Sequence, residues 1–560
     1  MAPPRSDPKT AFAAAEALQR AGRLAEAERA WRELAGDLLR HAGVHANLAM
    51  VLWQLGRLAD AEAAAADALA RDPDMIQALA IAAAAAETRG ADGLAIERYR
   101  RALELKPDLA TALHGLANIH LRNGDLALAR KAAERMTEVA PLAAAGWDNL
   151  GAIRLAQGDI TGAEQALAEA LRLDPDFASA RANRGAVAAE RRDWQKALEH
   201  CDASLALDER LPAAHNNRAN ALSILGRDAD AEQAFARALA LDPENADALF
   251  NRSLMWMRQG RWAEAWPGFE ARWRVRRMAP WRRQFAVPQW DGAPAPAQTL
   301  LVHAEQGIGD MIMMARYLPA VAGRVGHLIV ECAPALVGLL SGLSGMPLNF
   351  QCVATGAAPP AFDLHLPAMS LPGLFATTPE TVPWSGPYIA APAAGVGAAP
   401  AGQGINVGLV WAGNPDNYTD RERSAPLSAL APLLAMPGIQ FHSLQFGAAG
   451  DDIAAAGLAA RITDRRAGMA DFTATAALVA GMDLVISVCT SVAHLTGAMG
   501  RPVWMLLAAD NDWRWLKDRD DTPWYPTARL FRQRDAGDWT ELAARVAGAL
   551  KEWQTKGNDA

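Results

Sequence analysis

The first half of the chain repeats itself every 34 residues, and this period constrains its fold more than any other feature. Alanine recurs at Ala27, Ala61, Ala95, Ala129, Ala163, Ala197, Ala231 and Ala265. Glycine keeps the same frame at Gly22, Gly56, Gly90, Gly124, Gly158, Gly226 and Gly260, with Arg192 in the one remaining place. Proline follows at Pro73, Pro107, Pro141, Pro175 and Pro243. Each residue type has a physical reason to be there. Glycine suits a tight turn between two helices. Alanine suits a close helix crossing where a larger side chain would not fit. Proline stops the second helix, because it cannot continue the hydrogen-bond ladder. A merely alanine-rich helical chain would not hold one frame from residue 8 to residue 279.

This is the tetratricopeptide (TPR) pattern, in eight repeats spanning residues 8–279. One helix pair cannot bury its apolar face alone, so the repeats are expected to stack into a superhelix with a concave groove. Such arrays bind peptides or proteins. Asn47, Asn149, Asn183, Asn217 and Asn251 share one position on the first helix of their repeats. Amides along a groove can bond an extended acceptor peptide through its backbone. Equally, asparagine at this position can cap or bridge neighbouring helices. The ladder resembles the asparagine ladder in the TPR arm of O-linked N-acetylglucosamine transferases. The last repeat sets Trp256, Trp262, Trp266, Trp273 and Trp281 among arginines. A basic aromatic stretch can bind nucleic acid. A terminal repeat also needs a cap, so packing against the following domain is the preferred reading.

Composition excludes several classes. A chain of 560 residues is too long for one core. Its net charge of −8 argues against nucleic acid as a main partner. Cys201, Cys332, Cys352 and Cys489 have no metal-ligand spacing, so no metal is expected. The N-terminal stretch lacks an apolar signal core, and no run of about 18 apolar residues suggests a membrane span. A cytoplasmic protein is expected.

After a cap and linker at 280–298, strand-like and helix-like segments alternate. Strands are expected at 299–304, 327–332, 405–412, 439–445, 483–488 and 502–507. Helical stretches such as MIMMARYLPAVAGR and PLSALAPLLAM lie between them. This is a doubly wound α/β pattern. A Pro/Ala/Gly-rich stretch at 390–404 divides it into lobes at 299–395 and 404–560. Spacing alone implies two α/β lobes with a ligand cleft at the strand C-termini.

Three motifs carry the chemistry. HAEQGIGD (303–310) joins a strand to a helix. Gly307 and Gly309 allow a tight turn and close approach to a ligand, and Asp310 is either a general base or a helix cap. VWAGNPDNYTDRERSAPL (410–427) offers Asn414, Arg421, Arg423 and Ser424 to a diphosphate, unless it is only a solvated loop. VISVCTSVAHLTGAMGRPVWMLL (485–507) puts Thr490 and Ser491 at a helix start, an anion site by its free N–H groups. His494, one turn in, contacts phosphate or sugar or simply packs. Trp513 and Trp515 are expected to pack.

Together with DWRW and PWYP, these motifs resemble the bacterial TPR-linked glycosyltransferases related to the heptosyltransferase family, across residues 285–535. The resemblance implies a GT-B fold of two Rossmann-like lobes behind the α-solenoid. It also implies a nucleotide-sugar co-substrate, inverting transfer and no metal or other cofactor. By resemblance Asp310 is the base. Thr490, Ser491 and His494 meet the donor phosphates, and Arg423 helps neutralise the leaving group. The family commonly carries aspartate where this chain has Cys489. Cys489 is not expected to be a nucleophile, since no acidifying partner is evident beyond the helix end.

Three functions follow. The leading one is a protein glycosyltransferase whose TPR groove recruits the acceptor, with flagellin a candidate by resemblance. The second is a lipid or polysaccharide glycosyltransferase. The third is a binding scaffold with an inactive transferase domain.

Overall fold

The computed structural model describes residues 7–38, 40–390, 404–417, 420–510 and 512–558. The Pro/Ala/Gly-rich divider therefore lies almost wholly outside the described residues, as do Tyr418, Thr419 and Asn511 of the motifs. The chain forms two compact units, Met1–Pro243 and Glu244–Ala560.

The repeats are helix pairs, beginning with Pro8–Arg20 and Leu24–Asp37 and ending with Ala246–Arg258 and Trp262–Phe269. Every frame alanine is buried, none more than 1% exposed. At the glycine positions φ runs from +70° to +84°, and Arg192 takes the same turn at +60°. The turn therefore demands left-handed backbone, which a side chain adopts only at a cost. Gly151 faces Leu167 so closely that a Cβ would sit 2.6 Å from its Cγ. Gly185 meets the Cys201 sulfur in the same way, so a small residue on the first helix is matched to a larger one on the second.

The second unit begins at Glu244, so the eighth repeat belongs with the α/β part and the break does not fall after residue 279. The reason is aromatic. Trp262, Trp266 and Phe269 are buried against Trp513 and Trp524. Trp262 stacks on Trp524 at 5.0 Å, and the Trp266 indole donates to the Thr377 carbonyl at 2.7 Å. Trp281, by contrast, is exposed. Just beyond, Arg272 is fully buried. It donates to both oxygens of buried Glu305, at 3.0 and 3.1 Å, and to Ser370 and Glu270 at 2.7 Å each. The expected linker is also more structured than its composition suggests. Trp290 is buried, its N–H bonds the His365 carbonyl at 2.9 Å, and strand pairing starts at Ala295.

Two parallel sheets follow. The first contains β1 (Ala295–His303), β2 (Val325–Cys332), β3 (Phe350–Ala354) and β4 (Leu364–Pro367), in the order β3-β2-β1-β4. The second contains β5 (Ile405–Val410), β6 (Ile439–Ser443), β7 (Ile462–Asp464), β8 (Leu484–Val488), β9 (Val503–Leu507) and β10 (Ala528–Arg532), in the order β10-β9-β8-β5-β6-β7. Each order reverses once beside its first strand, as in doubly wound sheets. The reversals fall between β1 and β4 and between β5 and β8. Among the described residues no helix is long and apolar enough to cross a membrane.

Candidate functional site

All three motifs leave strands that flank a reversal. HAEQGIGD follows β1, VWAGNP follows β5 and the Cys489–Ser491 segment follows β8. Loops at such points diverge to opposite faces of the sheet and leave a crevice at the strand ends.

Asp310 lies in the first turn of the Ile308–Met314 helix. One carboxylate oxygen accepts the Gly307 N–H at 2.8 Å, so it does cap the helix. The other pairs with the Arg514 guanidinium, a residue the sequence reading passed over between Trp513 and Trp515. Arg514 is buried, and its Nη1 also donates to both oxygens of Asp512, at 2.7 and 2.8 Å. Burial works against the Arg514 charge, but Asp310 and Asp512 outweigh it and hold the guanidinium above its ordinary pKa.

Gly309 makes a close approach, and its neighbour is His494. A Cβ there would lie 2.6 Å from His494 Cδ2. The glycine thus lets the Ile308–Met314 helix pack on the Ser491–Ala498 helix. His494 itself is buried. Its Nδ1 bonds the Tyr525 hydroxyl at 2.9 Å, and its ring lies 5.3 Å from that of Trp515. Burial, followed by the Arg514 charge, lowers its pKa to about 3, so the imidazole is neutral near pH 7.

Thr490 precedes that helix and shares a hydrogen bond with Ser487 at 2.9 Å, and Ser491 is its first residue. Cys489 accepts the Trp515 indole N–H at 3.3 Å. Burial, then the Asp512 charge, raises its thiol pKa to about 11, which keeps it protonated at neutral pH. In the β5 loop, Ser424 accepts the Gly413 N–H at 2.9 Å, Asn414 accepts the Asp416 N–H at 3.1 Å, and Arg423 pairs with Asp420 at 3.0 Å. Arg423 is close enough to Cys489 and His494 for its charge to act on both. The structure thus gathers Asp310, His494 and Arg423 around one strand end, while Asn414 and Ser424 brace the neighbouring loop. Arg421 is exposed on that loop.

The asparagines are engaged within the repeats. Asn47 accepts from Gln77 at 3.1 Å, Asn149 bonds His114 at 3.0 Å, and Asn183 donates to Asp148 at 2.7 Å. These three bonds bridge the first helices of adjacent repeats. Asn217 accepts from Asn216 at 3.3 Å, and Asn251 accepts from Arg277 at 3.2 Å. An amide has two N–H groups and two lone pairs, so the bonds of Asn47, Asn149 and Asn183 leave those amides capacity for a ligand. Burial raises the pKa of Asp148, which also accepts from Ser179 at 2.7 Å. Among the described residues no three His, Cys, Asp or Glu side chains are grouped to hold a metal ion.

Comparison with known proteins places the repeats. The tetratricopeptide repeat family matches residues 12–76, 114–176, 149–215 and 216–279, and a second TPR repeat pattern matches residues 89–124. Protein FlbA of Caulobacter vibrioides is 28% identical over 328 residues, which is 54% of this chain and 55% of that protein. The chain thus spans about half the length of this curated relative. A TPR protein from Parabacteroides merdae is similar with a TM-score of 0.38 and 14% identity, covering 44% of this chain and 98% of that one. A thermophilic TPR protein of Thermus thermophilus has a TM-score of 0.30 and 23% identity, covering 32% of this chain and 99% of that one. The N-terminal half of this chain is a tetratricopeptide repeat array, followed by an α/β part built on parallel sheets.

Proposed function

We propose that the chain is a glycosyltransferase that moves a sugar from a nucleotide-activated donor to a hydroxyl of a protein acceptor held by the repeat array. The observation that carries this reading is the convergence of all three motifs on strand ends flanking the two sheet reversals, with Asp310 and His494 on helices that pack together. In this reading the parallel sheets are the two lobes of a GT-B domain. Breaking a sugar–phosphate bond puts negative charge on the departing nucleotide. The N–H groups at the Thr490–Ser491 helix start and the Arg423 guanidinium can stabilise that charge without a metal ion. Asp310, from the other lobe, takes the proton of the acceptor hydroxyl as its oxygen bonds to the anomeric carbon opposite the departing phosphate, which inverts that centre. Neutral His494 serves as a packed support for the helix start and leaves phosphate contact to Thr490 and Ser491. The acceptor reading rests on the repeats, whose usual ligands are polypeptides, and flagellin is the first acceptor to try.

A scaffold without transfer activity is the second reading. It is favoured by Cys489, which holds the Trp515 N–H at a position where the family commonly carries aspartate. One experiment separates the two. The purified chain is heated with a panel of nucleotides and nucleotide sugars, CMP-linked sugars included, and then incubated with flagellin and any stabilising donor. A donor raises the melting temperature by mass action. Transfer shows as a mass increment on the acceptor that Asp310→Asn abolishes. No stabilisation at millimolar ligand, with no increment, leaves the scaffold reading standing.

A further inference from the structure

Arg514 is unusual among the charged groups of the candidate site because it joins its two halves. One Nη reaches across 204 residues to Asp310, and the other grips Asp512 two residues away. Its Nε is buried without a hydrogen-bond partner, and the residue as a whole is 6% exposed. The guanidiniums of Arg423 and Arg514 face the carboxylates of Asp310, Asp420 and Asp512. Both guanidiniums are already held by carboxylates, so an oxyanion that binds either of them displaces one. Asp512 is bidentate and local, and it also takes the Arg514 N–H at 3.0 Å. Asp420 is tied to the β5 loop through Arg423. Asp310 is held to Arg514 through one oxygen only.

We propose that Arg514 is an oxyanion-binding residue whose present partner, the Asp310 carboxylate, stands where a phosphate group of the ligand will sit. When the phosphate arrives, Arg514 exchanges one anion for the other, because a guanidinium fork accepts phosphate oxygens as readily as carboxylate. Asp310 is thereby released from its ion pair with Arg514. Phosphate binding and release of Asp310 become one event, which orders the two substrates with the phosphorylated one first. The ordering rests on the transferase reading, whereas the exchange at Arg514 does not.

The test is a calorimetric titration of inorganic pyrophosphate into the full chain at low ionic strength. Asp310→Asn keeps the shape of the side chain but removes the competing charge, so it should bind pyrophosphate at least several-fold more tightly than the parent. Arg514→Gln should bind roughly tenfold more weakly, and Arg514→Lys should fall between. A purely structural salt bridge would not make Asp310→Asn a better binder. Equal affinity in the parent and Asp310→Asn, weaker binding by Asp310→Asn, or no binding by any of them overturns the proposal. If Arg514→Gln does not fold, the Asp310→Asn comparison alone still decides. The expected affinity pattern without sugar transfer to any acceptor would end the transferase reading and leave the exchange intact. Transfer undiminished in Arg514→Gln would do the reverse.

Discussion

At the scale of single residues, buried charge and buried imidazole dominate. Arg272 is fully buried, and Glu305 depends on it for a counter-ion. Removing one partner of such a pair leaves the other charge stranded, at a cost of about 3–5 kcal/mol. Arg272→Met, which keeps the volume but not the charge, should therefore lower stability by that order in urea unfolding. A loss under about 1 kcal/mol would contradict that dependence. Histidine sets a pH dependence. Burial lowers the pKa of His303 and His494 to about 3 and of His442 to about 4. An unfolded histidine takes its proton near pH 6.5. Between that value and the folded pKa the unfolded chain binds more protons, so these groups make stability fall as pH falls. Asp148 and Glu305, whose pKa values burial raises, act in the opposite direction. A comparison with His494→Gln isolates the histidine contribution. The parent's urea midpoint should drop more steeply than the variant's between pH 7 and pH 5, and parallel curves would refute the assignment. Sequence reading found His494 but not its environment. Tyr525 and Trp515, which bond and pack against its ring, are 31 and 21 residues away, and no local pattern announces them.

At the scale of elements, legibility follows burial. The six strands expected from sequence are the six interior strands, β1, β2, β5, β6, β8 and β9. Covered on both faces, they read as continuous apolar runs. The four that escaped notice, β3, β4, β7 and β10, are the four sheet edges. Their sequences, FQCVA, LHLP, ITD and ARLFR, mix polar and apolar residues because one side of an edge strand needs no apolar partner. Even the helical stretch MIMMARYLPAVAGR was half legible. It is apolar throughout, yet Pro319 divides it, so the Ile308–Met314 helix passes through a 3-10 turn before Leu318–Ala322. The repeat turns give an element-scale prediction. Arg192 sits at φ +60°, in the left-handed region that its seven glycine counterparts occupy at +70° to +84° without strain. Left-handed backbone costs a non-glycine residue about 1–2 kcal/mol, and part of that is offset because glycine loses more entropy on folding. The Arg192 side chain also lies over Trp194. Arg192→Gly should therefore gain up to about 1 kcal/mol in thermal or urea unfolding. A loss of stability would show that stacking on Trp194 outweighs the strain.

At the scale of the whole molecule, the frame of the repeats and the boundary of the compact units are different things. Sequence periodicity places the eighth repeat with its seven predecessors, and the family match runs through residue 279. Packing groups it with the sheets, through Trp262, Trp266, Phe269 and Arg272. Periodicity reports local helix–turn geometry, whereas a unit boundary reports where apolar surface is shared, and only the second depends on residues far apart in the chain. A fragment covering 244–560 is therefore expected to be soluble and to unfold in a cooperative transition. A fragment covering 280–560 would expose Trp513 and Trp524 and strand Glu305, and it is expected to aggregate. Equal behaviour of the two in size-exclusion chromatography and thermal unfolding would contradict the packing argument.

The shared eighth repeat also bears on how such a chain can diversify. Every joint among the earlier repeats is built to one 34-residue specification, with the same alanine crossing and the same left-handed turn, made by glycine except at Arg192. Whole repeats can be gained or lost there without disturbing register, as carriages are added to a train. The final repeat keeps that frame in its sequence and is the coupling to the α/β part, fitted to its tryptophans. Descendants of this chain should vary freely in the number of repeats ahead of residue 244, and hold almost constant the few residues that form the coupling.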